Sequence, residues 1–276
     1  MDDTPQRIVC LTEETTETLY RLGEADRIVG ISGFTVRPPE ARKEKPKVSA
    51  FTSAKIDRIL ELEPDLVLGF SDMQADIAAE LIRAGVEVYV FNQRSIAGIL
   101  AMIRRLGALI GAPAKADALI RELEQGMERV RSEAAELPRT PRVYFEEWDD
   151  PLITGIGWVH ELIGVAGGED CFPERASRAD AASRIIADPD EVIAAAPDLI
   201  IGSWCGKRFR PEKVAARPGW DAIPAVRDGH LYEIKSADIL QPGPAALTDG
   251  LTQLAACIRS AAEGRVGSRD TRSGQP

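Results

Sequence analysis

The sequence predicts an α/β fold of two similar parallel-sheet lobes joined by a long helix. Three observations carry this reading. Pro64-Asp65-Leu66-Val67-Leu68-Gly69 returns about half a chain later as Pro197-Asp198-Leu199-Ile200-Ile201-Gly202. Each copy follows a helix-like segment and runs into an uninterrupted apolar stretch, as a parallel strand covered on both faces requires. Between the copies, residues from about Ile96 to Leu137 are rich in strong helix formers. A single long-period duplication gives two lobes, whereas a solenoid would need several shorter repeats. Two lobes built alike lead us to expect a ligand cleft between them.

The elements follow in order. Arg7 to Leu11 is a short apolar strand, echoed later by Arg142-Val143-Tyr144. Thr12 to Leu22 opens with hydroxyls and glutamates, which suit the unpaired N–H groups and positive dipole of a helix start. Glu13-Glu14 in that opening is echoed by Glu146-Glu147. Arg27 to Ile31 reads as a second strand, and Thr35 to Ser49, with Pro38, Pro39 and Pro46 among charges, as a loop. Ile56, Ile59 and Leu60 share a helical face, and Pro64 disfavours helical geometry at Glu63, ending that helix. The helical middle is interrupted at Gly111-Ala112-Pro113. In the second copy Asp188 can cap, Pro189 suits a first helical turn, and Glu191 can complete a capping box. Leu231 to Ile234 reads as the last strand, and Pro244 to Ile258 as the last helix. The expected organisation is an N-terminal lobe over 1–93, a linking helical region over 94–138, a C-terminal lobe over 139–262, and a disordered polar tail over 263–276.

Composition removes several function classes. The chain of 276 residues has a formal charge of −10, which repels nucleic-acid phosphates. No apolar run approaches the ~18 residues that cross a bilayer. The opening Met1-Asp2-Asp3-Thr4-Pro5 lacks an apolar signal core, so the chain is cytoplasmic if Met1 is its native start, or else a leader has been removed. Four cysteines, at 10, 171, 205 and 257, form no Cys-x-x-Cys pair. Cys10 and Cys257 read as core residues; Cys205 falls in a loop after a strand. With only two histidines, His160 and His230, no metal site is expected.

In parallel sheets ligands bind beyond the carboxyl ends of the strands. That rule selects Glu13, Glu14, Phe34, Phe70 and Asp72 in the first lobe. In the second it selects Glu146, Glu147, Trp148, Trp204, Cys205 and Asp238. Tyr144 to Pro151 reads either as a strand with a solvated acidic turn, or as a ligand-contacting loop in which Trp148 supplies apolar area. Trp204 and Phe70 read either as core caps or as opposite walls holding a large, flat, partly apolar ligand.

Enzyme signatures are missing. The sequence has no phosphate loop, no Gly-x-Ser-x-Gly elbow and no His-Glu-x-x-His. Gly155-Ile156-Gly157-Trp158-Val159-His160 only half-matches a dinucleotide fingerprint.

Several ordered motifs together resemble one family. They are Arg7 to Leu11 leading to Thr16-Glu17, the Pro-Asp-Leu unit, Gly219-Trp220-Asp221-Ala222-Ile223-Pro224-Ala225-Val226 with Asp228-Gly229, and Gln241-Pro242-Gly243-Pro244. Over roughly residues 7 to 260 the chain resembles the cobalamin and iron-siderophore substrate-binding proteins of ABC importers, periplasmic proteins with a long helix between the lobes. The resemblance implies a non-catalytic, monomeric protein without intrinsic cofactor, which delivers a metal chelate to an importer permease. It also implies a permease-docking carboxylate on each lobe, by position Asp76 and Glu212, and a periplasmic location. Thr12-Glu13-Glu14-Thr15 departs from the family's common Ser-Pro type start. Four carboxylates near one cleft would disfavour an anionic siderophore, so a corrinoid is the expected chelate, with iron-siderophore or heme as the alternative. Two further alternatives are a cytoplasmic chelate carrier or sensor, and a chelatase-like enzyme using the glutamates.

Overall fold

In the computed structural model, which describes residues 4–178 and 180–264, strands and helices alternate along the chain. The chain divides into two compact units. One takes the residues up to Gln125 together with Gln241–Leu247; the other takes Gly126–Leu240 and the residues from Thr248 on. The tail expected over 263–276 lies, beyond Gly264, outside the described residues.

The first unit contains β1 (Ile8–Cys10), α1 (Glu13–Arg21), β2 (Ile28–Ser32), α2 (Pro39–Glu44), β3 (Lys47–Ser49), α3 (Ile56–Leu60), β4 (Leu66–Phe70), α4 (Ala75–Arg83), β5 (Val88–Phe91), α5 (Ile96–Leu109) and the start of α6 (Pro113–Ala134). Its sheet has the order β3-β2-β1-β4-β5, with every neighbouring pair parallel. The order reverses between β1 and β4, the position at which α/β sheets open a crevice. The core is aliphatic, built from Val9, Leu11, Val48, Ile59, Val67, Ile77 and Leu81.

Thr35 to Ser49 is not the loop its prolines suggest. Pro39 sits in the first turn of α2, where its fixed φ fits and its missing N–H costs nothing. Val48 is buried and carries β3 onto the edge of β2.

The second unit contains β6 (Arg142–Asp149), β7 (Leu152–Thr154), α7 (Gly157–Val165), β8 (Glu169–Asp170), α8 (Pro173–Ala176), α9 (Asp190–Ala195), β9 (Leu199–Gly202), α10 (Pro211–Ala215), α11 (Pro224–Arg227), β10 (Leu231–Glu233), α12 (Ser236–Ile239) and α13 (Leu251–Ala262). β10, β9 and β6 are parallel neighbours; β8 pairs parallel with the start of β6, and β7 antiparallel with its end. The core is aromatic: Tyr144 meets Trp220 and Phe172 edge-on, at centroid distances of 6.2 and 5.7 Å. Asp188 accepts from the Asp190 amide at 3.0 Å, but Glu191 pairs with Arg175 instead of closing a capping box. The last helix starts later than the sequence suggests, because residues 246–250 form a wide π turn before α13.

The duplication extends to individual bonds. Asp65 accepts from the amides of Gln6 and Arg7 at 2.6 and 2.9 Å, and its own amide donates to the Arg7 carbonyl at 3.0 Å. Asp198 accepts from the Arg142 amide at 2.7 Å and returns a bond to the Arg142 carbonyl at 2.8 Å. Each aspartate thus ties the entry of one parallel strand to the entry of its neighbour. The residues before the two prolines, Glu63 and Ala196, both have φ of 46°. Pro disfavours right-handed helical geometry at the preceding residue, and the left-handed region, uncommon for side chains larger than glycine, turns the chain here from helix to strand.

Candidate functional site

The carboxyl end of the first sheet is organised by α1, which follows central β1. Thr12 occupies the N-cap position, yet its hydroxyl donates to Glu14 Oε1 at 2.7 Å rather than accepting from the helix backbone. Glu13, Glu14 and Glu17 are all buried. Glu13 Oε2 accepts from the Val36 amide at 2.9 Å, while its Oε1 is buried without a hydrogen-bond partner. Glu17 accepts from the Ala245 amide at 3.0 Å and pairs with Arg37 at 3.4 Å. Loss of water, only partly offset by hydrogen bonds and by the nearby Arg37 and Arg21 guanidinium groups, pushes the carboxyls up: Glu13 to about 8, Glu14 to about 7, and Glu17 upward as well. Gly243 explains itself here, since a Cβ at that position would lie 2.6 Å from Glu14 Cβ.

Around this turn the predicted contacts differ in exposure. Phe34 is 65% exposed on a loop pinned by Arg42, which donates to the carbonyls of Gly33 and Thr35. Phe70 is buried as the last residue of β4, with the Arg94 guanidinium 4.7 Å from its ring centre. Asp72 is exposed in the turn that follows. Gln74 fixes that turn: its Oε1 accepts from the Phe70 amide at 2.8 Å, and its Nε2 donates to the Phe51 carbonyl at 2.9 Å. Asp76 is exposed in the first turn of α4.

In the second unit Glu146, Glu147 and Trp148 lie within β6 rather than in a loop, and this corrects the loop reading. The pairing of Glu13-Glu14 with Glu146-Glu147 is likewise a match of letters only. One pair opens a helix, the other sits in a strand. Alternation along β6 sends Tyr144 and Glu146 to one face, and beyond Glu146 the pairing with β7 is bulged. Glu146 is fully buried there, and Arg217 answers it with two bonds of 2.6 and 2.9 Å. Burial raises the Glu146 carboxyl, while Arg217 pulls it back. The Trp204 indole N–H also donates to Glu146 Oε1, at 3.1 Å. Glu147 is gripped by buried Arg184 at 2.5 and 3.0 Å.

Trp204 belongs to the aromatic core and meets Phe209 edge-on at 5.0 Å. Cys205 is exposed beside it, and Asp238 lies in α12, accepting from Gln253 at 3.1 Å. Lys207 lies over Trp148 and Trp204 and is ion-paired with Asp149. Glu212 is exposed in the first turn of α10, the counterpart in β9's helix of Asp76 in β4's. Gly155 to His160 is no dinucleotide turn, because β7 ahead of it is antiparallel.

These neighbours overturn the charge argument. None of the four glutamates is a free anion on a surface: Glu146 and Glu147 are held by arginines, and Glu13 and Glu14 are pushed toward their neutral forms. Arg184, Arg217 and Lys207 escaped the sequence reading because their partners lie far along the chain. The one available signal was that a carboxylate inside an apolar strand needs a cation if buried. Among the described residues no group of three or more His, Cys, Asp or Glu is placed to hold a metal ion.

Residues 8–237 match the family model described as periplasmic binding protein. The chain is 26% identical over 263 residues to the uncharacterized ABC transporter substrate-binding lipoprotein YvrC of Bacillus subtilis, covering 92% of this chain and 80% of that protein. It is 25% identical over 246 residues to a vitamin B12-binding protein of Vibrio parahaemolyticus, covering 88% and 86%. Among solved structures, the periplasmic heme-binding protein RhuT of Roseiflexus sp. RS-1 superposes with a TM-score of 0.81 at 25% identity, covering 93% of this chain and 99% of that one. The vitamin B12-binding protein BtuF of Vibrio cholerae superposes with a TM-score of 0.74 at 21% identity, covering 94% and 98%.

Proposed function

Because the chain belongs to the periplasmic binding protein family, a substrate-binding protein of the ABC-importer type, we propose that it captures a cobalamin-like corrinoid or related metal chelate and delivers it, without catalysis, to an importer permease. The carrying observation is the family match over most of the chain, joined by curated relatives that bind vitamin B12. Residues at and beyond the strand ends supply the contacts in this reading: Phe34 and Asp72 in the first unit, and Trp148 at the end of β6, Cys205 and Asp238 in the second. Glu13, Glu14, Glu146 and Glu147 act behind them as the frame that holds loops and indoles in place. Asp76 and Glu212, both exposed in first helical turns, are the proposed permease contacts. An exported location accompanies that role. Among the described residues no helix is long and apolar enough to cross a membrane.

Heme or another anionic iron chelate is the second reading. It is favoured by the neutralised glutamates, which remove the electrostatic objection, and by the heme-binding structural neighbour. All four tryptophans, at 148, 158, 204 and 220, lie in the second unit, so indole fluorescence reports ligand arrival there. Titration with cyanocobalamin and, separately, hemin and a ferric siderophore is expected to give saturable quenching with the true class of chelate. Saturation by hemin alone would replace the corrinoid assignment, and no saturation by corrinoids, hemin or ferric siderophores would remove the chelate reading.

A further inference from the structure

Lys207 sits in an unusual place for a lysine on a turn. Its ammonium lies 4.3 Å from the ring centre of Trp148 and 5.1 Å from that of Trp204, and it pairs with the Asp149 carboxylate. Two aromatic faces and one carboxylate around a single cation is the arrangement by which proteins recognise organic ammonium groups: ring quadrupoles attract the charge and the carboxylate adds directional strength.

The two indoles and the backbone of Asp149 are held independently of what they enclose. The Trp204 N–H is held by Glu146, itself clamped by Arg217, and the ring rests edge-on against Phe209. The Trp148 N–H donates to the Asp150 carbonyl at 2.9 Å. Trp148 and Asp149 are consecutive residues of β6, paired with Ile153 and Leu152 of β7. The occupant is the less constrained party. Its side chain is 40% exposed, and it follows Gly206, whose φ of 75° is a conformation available to glycine at little cost. Trp204 itself is only 5% exposed, packed in the aromatic core with the ammonium over its ring.

We propose that Trp148, Trp204 and Asp149 form a binding subsite for an organic ammonium group, which the chain's own Lys207 fills in this structure and vacates when a cationic group enters. Lys207 is then an internal competitor. It sets a threshold for entry, and its departure releases the Ser203–Arg210 turn from its hold on the two indoles.

The test uses tetramethylammonium chloride as probe, with sodium chloride at matched ionic strength as the reference. The readout is the set of indole N–H signals in two-dimensional NMR of tryptophan-labelled protein. In Lys207→Ala, two of the four tryptophan signals are expected to shift saturably, with a midpoint on the order of millimolar and about tenfold tighter than in the unaltered chain. Lys207→Gln should behave alike, which guards against collapse of the turn in the smaller variant. Adding Asp149→Asn should weaken the response several-fold, while Arg208→Ala, an exposed neighbour, should match the unaltered chain. Circular dichroism checks that each variant is folded. Non-saturating shifts in both Lys207 variants, or the same midpoint with and without the lysine, would overturn the proposal. No chelate enters the experiment, so its outcome is separate from that of the binding titrations.

Discussion

The two units bury glutamates at the carboxyl ends of their central strands by opposite means. In the first, Glu13 and Glu14 lose water with little cationic help, and their carboxyls rise to about 8 and 7. In the second, Glu146 and Glu147 are paired with the guanidinium groups of Arg217 and Arg184. One unit uses protons, the other guanidinium groups. Two consequences follow. Counting acidic letters does not give the charge of a site, and the first unit should respond to pH where the second responds to loss of an arginine.

The largest expected effect tests the second unit. Arg217→Met leaves the Glu146 carboxylate buried without a cation, and should cost about 3–5 kcal/mol in denaturant unfolding. Adding Glu146→Gln to it should recover much of that loss, because the amide needs no counter-charge. Recovery of nothing would mean that Arg217 acts through its stacking on Trp220, 4.4 Å away, and not through the ion pair.

The first unit makes the complementary prediction. Glu13 and Glu14 have folded values raised above the ordinary glutamate value of 4.5. Their stabilising contribution is therefore complete below about 4.5, and is lost as pH rises through about 7 and about 8. The double variant Glu13→Gln, Glu14→Gln should flatten the fall in unfolding midpoint across that window, a change on the order of a few kcal/mol at its upper end. An unchanged slope would show that protons are not what neutralises this turn.

A smaller effect sharpens the repeat itself. Gly69 and Gly202 are matching positions of the duplicated unit, but a Cβ on Gly202 would meet the Phe209 ring at 1.8 Å, and one on Gly69 would only touch Gln74 Oε1 at 3.0 Å. Gly202→Ala should cost about 1–3 kcal/mol, and Gly69→Ala less than about 1 kcal/mol, by thermal unfolding. Smallest is the symmetric case. Glu63→Gly and Ala196→Gly, both at φ of 46°, should each stabilise by up to about 1 kcal/mol. A gain at one site alone would show that the two turns, alike in backbone, differ in strain.

Legibility followed the range of the interactions. The strands Leu66–Phe70 and Leu199–Gly202 were readable because an apolar run after a Pro-Asp turn is a local pattern. The helical middle, broken at Gly111-Ala112-Pro113, was readable for the same reason. β3 was not, since Val48 counts as strand only through its pairing with β2. Of the candidate contacts, Phe34 and Trp204 were legible as aromatics after strand ends, but their exposure was not, and Trp148 proved to lie inside β6. Trp204 turned out to be core, held by a glutamate 58 positions away.

By itself the sequence determined the duplication, the α/β class and the family, because these rest on hydrophobic periodicity, turn chemistry and ordered motifs written along the chain. Only the tertiary structure decided the electrostatics of the candidate site. Whether a glutamate there is an anion, an ion pair or a neutral acid depends on which distant arginine, amide or indole the fold brings within about 3 Å, and on how much water it leaves.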